Sequence, residues 1–156
     1  MKEREFLRQA TVARDRIGML REQLDRLRED MSYVRRSVLK DDSVQSSTPH
    51  DLMGDRVADV CDKIAVREKQ LEHWGDVLYS VESAINGIEC ATCGRVLYLR
   101  YVKGLTLEEV AAELGYSGHY IRELHTKGIK EISSLLEGSV VGLCPTERQS
   151  LGAVPH

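Results

Sequence analysis

Residues 106–124 read TLEEVAAELGYSGHYIREL. Two short helices joined by a sharp turn follow from this string. Thr106 with Glu109 three positions on is a capping box, in which each side chain satisfies a free backbone N–H at the start of a helix. Val110, Ala111 and Leu114 then share one face of LEEVAAEL. Gly115 stands where the turn needs a positive φ. Ser117 can cap a following helix over 118–138, with Ile121, Leu124, Ile129, Ile132 and Leu136 as its buried stripe. Counted from Leu107 as first, Ala111 is fifth, Gly115 ninth, Ile121 fifteenth and Leu124 eighteenth. A small residue at Ala111 lets two helices approach, Gly115 makes the bend, and Ile121 and Leu124 anchor the second helix on the first. This is the spacing of a helix-turn-helix.

A preceding helix completes a small three-helix domain. Asn86-Gly87 gives an end signal for whatever lies upstream. Thr92 can cap RVLYLRYVKG (95–104), whose Val96, Leu97, Leu99 and Tyr101 supply an apolar face before Gly104 closes it. The domain spans 90–137. Residues 138–156, punctuated by Gly138, Gly142, Pro145, Gly152 and Pro155, read as a disordered tail.

Further upstream the pattern changes. Phe6, Ala10, Ala13, Ile17, Leu20, Leu24, Leu27, Met31, Val34 and Val38 are separated by steps alternating 4 and 3. That heptad regularity, uninterrupted by proline, predicts a long coiled-coil helix. A second row runs Val57, Val60, Ile64, Arg67, Leu71, Trp74, Leu78, Val81, Ile85, Ile88, with Arg67 either setting register or snorkelling to water. Between them DDSVQSSTPHDLMGD (41–55) has loop composition. The expected fold is therefore all-α: a long antiparallel coiled-coil hairpin over 1–89, with a loop at 40–54, followed by the helix-turn-helix domain. Two helices leave part of each stripe uncovered, so a homodimer through the coiled coil is expected.

Charge supports the pairing and restrains the function. Residues 1–40 carry 11 Lys/Arg against 7 Asp/Glu, and residues 51–89 carry 4 against 9, so the two helices attract. Residues 90–156 balance at 7 against 7, and the whole 156-residue chain stands at −3, which is not the profile of a basic nucleic-acid binder. No run of 18 apolar residues predicts a membrane span, and the opening MKEREFLRQATVARDR has no apolar signal segment, so a cytoplasmic protein, in a bacterial host cell, is expected.

The stretch RVLYLRYVKGLTLEEVAAELGYSGHYIRELHTKGIKEI resembles region four of sigma-70-type RNA polymerase factors, which reads the upstream promoter element. With the hairpin and its SVQSSTPHDLMGD tip included, residues 5–136 resemble small phage and prophage proteins of Gram-positive bacteria that join a coiled coil to a sigma region-four-like module. The resemblance implies a transcriptional regulator whose partners are double-stranded promoter DNA and RNA polymerase. It places the groove-facing positions at Gly118, His119, Arg122 and Glu123, with Thr126 one turn on. Arg122 can give two hydrogen bonds to guanine and Glu123 can accept from a cytosine amino group. The alternative for Arg122 is a surface ion pair, and for Glu123 it is merely to orient Arg122. Ser117 caps the helix, His119 reaches a base or phosphate or stays solvated, and Tyr120 touches a phosphate or packs on the hairpin. Lys127, Lys130 and Arg100 are phosphate candidates. Gly118 and Glu123 replace residues that sigma factors usually carry as Arg and Gln, so the target should differ from an ordinary promoter element. These residues leave no room for the segment that melts promoters, so a whole sigma factor is not expected. The alternative is a polymerase-binding adaptor that does not read DNA.

Little other chemistry is legible. Cys90-Ala-Thr-Cys93 has zinc-ligand spacing, but a structural zinc takes four ligands and neither Cys61 nor Cys144 forms a second close pair. The cysteines are read as reduced thiols, with no metal and no cofactor expected. His119 and His125 are wrongly spaced on a helix to share an ion. Ser46, Ser47 and Thr48 have only His50 as a neighbouring base. There are no paired carboxylates, no nucleophile elbow and no phosphate-cradling glycine loop, so no catalytic residues and no enzyme are expected.

Overall fold

The computed structural model describes residues 2–41 and 50–141, with side chains over 2–37 and 54–138. The Val44–Ser47 loop and most of the expected tail lie outside the described residues. Five α-helices follow in order: α1 (Lys2–Asp41), α2 (His50–Asn86), α3 (Ala91–Leu97) continued by a π-helical turn (Tyr98–Val102), α4 (Leu107–Leu114) and α5 (Gly118–Val141). No strand occurs among the described residues. The fold is the all-α one, two long helices and then a small helical domain. Residues 50–54, whose composition suggested loop, are helical, and α2 begins earlier than its apolar row.

The chain divides into two compact units. One comprises Ala13–Asp76, the distal parts of α1 and α2. Here Ala13, Ile17, Leu20, Leu24 and Met31 are buried, while Val57, Val60, Ile64, Leu71 and Trp74 on the second row are only half-buried. The two helices lie side by side: Arg28 reaches Glu68 at 3.6 Å. Both partners are exposed, so this pair contributes about 0–1 kcal/mol and guides the pairing more than it stabilises it. Arg67 is half-buried and turns its guanidinium outward to Gln70 Oε1 at 3.0 Å, the snorkelling arrangement.

The other unit joins Met1–Val12 to Val77–His156. The first turns of α1 thus belong with the small helical domain. Leu7 and Ala10 are fully buried there against Val81, Ile85, Leu97 and Ile132. Thr11 Oγ1 donates to the Tyr101 carbonyl at 2.9 Å, and Ser133 Oγ donates to Glu3 Oε1 at 3.0 Å. A second cluster gathers Cys93, Val96, Leu99, Val110, Ile121 and Leu124. The α3 segment is the wall between the two. Its π turn, closed by Lys103 N–H on Tyr98 O at 3.1 Å, lets the adjacent Tyr101 and Val102 both face the first cluster. Gly104 then reverses the chain at φ 78°.

The cap of α3 differs from expectation. Cys90, not Thr92, occupies the cap position, its sulfur accepting the Cys93 N–H at 3.3 Å. A thiol can take an orphan N–H as a hydroxyl does, and the Ser/Thr/Asp/Asn rule overlooks it.

Candidate nucleic-acid interface

The local geometry presents the start of α5 outward on a fixed support. At α4, Thr106 N–H donates to Glu109 Oε2 at 2.8 Å and Glu109 N–H donates to Thr106 Oγ1 at 3.2 Å, completing the capping box. The same contacts, chiefly the Thr106 backbone N–H, hold the Glu109 carboxyl below its usual range. Gly115 ends α4 at φ 71°, the left-handed conformation expected of it. Its N–H and that of Tyr116 both return to the Ala111 carbonyl, at 2.9 and 3.1 Å. Ser117 Oγ then accepts the Tyr120 N–H at 3.2 Å and starts α5. Ile121 and Leu124 pack on Val110, Ala111 and Leu99, so the positions between them must face out.

Ser117, Gly118, His119, Tyr120, Arg122, Glu123, Thr126, Lys127 and Lys130 are all exposed. No hydrogen bond or ion pair engages the Arg122 guanidinium among the described residues, and it projects free. Glu123 is turned to His119, Oε1 to Nε2 at 3.1 Å, rather than to Arg122. Thr126 Oγ1 donates to the Arg122 carbonyl at 2.9 Å. Tyr120 packs edge-on against Tyr116, ring centroids 5.1 Å apart at 78°. That aromatic pair, four residues apart in sequence, straddles the turn between α4 and α5.

Arg100 is engaged by its own neighbours. It is half-buried, Nη1 donates to the Leu105 carbonyl at 2.9 Å, and its guanidinium sits 5.8 Å from the Tyr101 ring centre. It pins the connection between the π turn and α4. On the inner side of α5, His125 stacks on Tyr101 at 5.8 Å and its Nε2 lies 3.1 Å from the Tyr101 hydroxyl. Burial first, then the positive Arg4 and Arg100, lower its pKa and favour the neutral ring.

Residues 94–133 match the family model of sigma-70, region 4. The match suggests a DNA-binding regulator of transcription. It runs from inside α3, across the π turn and α4, to Ser133 in α5, and so takes in the capping box, the Gly115 turn and every outward position of α5 named above. Neither a curated protein nor a solved structure matches the chain. Among the described residues no helix is long and apolar enough to cross a membrane.

At the N-terminal edge of the region-4 segment, and reaching into it through Glu131, lies a different chemistry. Cys90, Cys93 and, from α5, Glu131 bring their sulfur and oxygen atoms within 4.8 Å of one another. Cys90 N–H donates to Glu131 Oε2 at 3.3 Å. The Cys93 side chain and backbone both hydrogen-bond the Cys90 sulfur and lower its pKa, whereas burial and that same side-chain bond push the Cys93 thiol up to about 12. Glu131 carries no sequence signature as a partner of the cysteine pair, since it lies far along the chain; only the packing of α5 on α3 brings it there.

Proposed function

We propose that this protein is a sequence-specific DNA-binding regulator of transcription that reads a promoter element with the first turns of α5. The observation that carries the reading is Arg122, an unengaged guanidinium at the outward face of α5, inside the segment that matches sigma-70 region 4. It is assigned to a guanine edge, where its two donors fit the two acceptors. His119 and Glu123, already paired, act together at a neighbouring base pair. Lys127 and Lys130 take backbone phosphates, and Arg100 supports the turn from behind. The hairpin and module follow the plan of phage and prophage regulators, with the long helices serving a second copy or RNA polymerase. The protein binds; no reaction is assigned to it.

Fluorescence anisotropy against upstream fragments of its genomic neighbourhood, with scrambled DNA and a salt series, tests this. Selective binding that weakens with salt is expected, and Arg122→Ala should cost about 1–3 kcal/mol and relax one base position. Lys127→Ala should weaken all fragments alike. Equal weak binding to every fragment, or an indifferent Arg122→Ala, overturns DNA reading by α5.

One feature favours a second reading. Glu108, Glu109 and Glu113 are all exposed on α4, the helix that crosses the DNA backbone in this motif. A protein that binds polymerase without protecting DNA would account for that acidic face. Retained polymerase binding with no DNA footprint identifies it.

A further inference from the structure

None of the three side chains of the Cys90, Cys93 and Glu131 cluster is among those proposed to touch DNA. We propose that the two sulfurs and a Glu131 carboxylate oxygen bind a thiophilic divalent cation, zinc above all, which ties the start of α3 to the middle of α5. The three ligand atoms lie within 4.8 Å of one another. Zinc holds sulfur at about 2.3 Å and carboxylate oxygen at about 2.0–2.2 Å, so tetrahedral ligation needs sulfurs about 3.8 Å apart. Binding would draw the three atoms from within 4.8 Å of one another to that spacing.

The backbone is arranged for it. Cys93 N–H points at the Cys90 sulfur at 3.3 Å, and Gly94 N–H returns to the Cys90 carbonyl at 3.0 Å. This tight turn sets both sulfurs on one side of the chain. Cys93 is fully buried, so its sulfur is positioned by the core rather than by a loose loop. Cys90 is half-buried and borders a surface groove with Asn86, Gly94, Arg95 and Tyr98. The groove reaches the site on its Cys90 side. Two thiolates select a borderline-soft ion over magnesium or calcium. With three anionic ligands the site would keep one negative charge, and Lys127 stands one turn before Glu131 on α5.

The probe is cobalt(II), added to the reduced, chelator-treated full chain in a Cys61→Ser, Cys144→Ser background. One equivalent should bring thiolate-to-cobalt charge-transfer absorption with the intense visible bands of a tetrahedral ion, and zinc should displace it. Cys90→Ser keeps an acceptor at the head of α3, so the fold is retained; it should weaken binding by more than the about 10–100-fold that losing an outer-shell partner costs. Glu131→Gln should weaken it at least about tenfold. Absence of thiolate absorption, or binding untouched by either variant, overturns the site. So does oxidised glutathione converting the pair to a disulfide in a protein that takes up no cobalt, which would make it a redox dithiol instead.

Discussion

Replacing Gly128 with alanine should destabilise the C-terminal unit, although the same change at Gly138 on the same helix should stabilise it. Alanine is worth about 0.8–1 kcal/mol over glycine in a helix interior. At Gly138 a new Cβ meets nothing within 4 Å, so the change should raise stability by up to about 1 kcal/mol. At Gly128 the Cβ would stand 3.0 Å from Leu97 Cδ1, 3.1 Å from Leu97 Cγ and 3.4 Å from Cys93 Cβ. Comfortable carbon contacts begin near 3.5 Å, so roughly half an ångström must be found. Leu97 and Cys93 are both fully buried and have nowhere to retreat. Inserting a methyl group into such packing costs about 1–3 kcal/mol. Subtracting the propensity gain leaves a net loss of about 0–2 kcal/mol at Gly128. The gap between the two variants should equal the full packing cost. Urea denaturation followed by far-UV circular dichroism measures it, with an unchanged m-value certifying that midpoint shifts report stability. If Gly128→Ala proves as stable as Gly138→Ala, α5 does not cross α3 at this glycine, and the orientation given to the outward face of α5 loses its support.

Three further outcomes are expected. Thr106→Ala removes the acceptor at the head of α4 and should cost about 1 kcal/mol by the same denaturation assay, while Thr106→Ser should cost little. Leu7→Ala should cost about 2–5 kcal/mol in the unit containing α5, because Leu7 is fully buried in its core; no loss would show that the first turns of α1 are dispensable there. The lowered pKa of His125 means that the unfolded chain takes up a proton near the ordinary value of 6.5 while the folded chain resists it. Stability should therefore be complete above about pH 6.5 and fall as pH drops below it. Melting curves at stepwise lower pH should show a smaller loss for His125→Gln over that window, before the carboxylates titrate.

The repetitive features were legible in the sequence, and the singular ones were not. A heptad row reports burial against one partner, and Ile17, Leu20, Leu24 and Met31 are buried accordingly. Leu7 stands off that row, yet it is fully buried because the first turns of α1 meet a second partner, the small domain. The α4 capping box, the left-handed Gly115 and the Ser117 cap are local devices, each decided within four residues, and each was readable. The π turn has no residue signature, since it answers to two clusters lying on opposite sides of α3. Gly128 and Glu131 acquire meaning only from the crossing of α5 over α3. The His119–Glu123 pair, by contrast, was visible in the spacing: an acid four residues from a histidine on an exposed helix face is a partner by geometry, whereas Arg122, adjacent in sequence to Glu123, points elsewhere.

The charge distribution bears on how such a module would select its site. Phosphate contacts supply affinity without sequence information, and base contacts supply the discrimination. Around the outward face of α5, the cations Arg122, Lys127 and Lys130 are set against exposed Glu108, Glu109 and Glu113 on α4. Glu109 cannot simply be exchanged for a base, because it completes the cap on α4. On the proposed DNA-reading, the acidic helix would weaken binding to every sequence alike, while the bidentate donor assigned to Arg122 would reward only the right one. Weak general attraction with one sharp contact gives a favourable specificity ratio and a poor absolute affinity. A second module at a fixed spacing, or a polymerase already on the DNA, restores affinity without restoring non-specific attraction. On the DNA-reading proposal the long helices, with their half-covered apolar row, would serve such a partner, whereas an acidic α4 that never meets DNA belongs to the polymerase-adaptor reading.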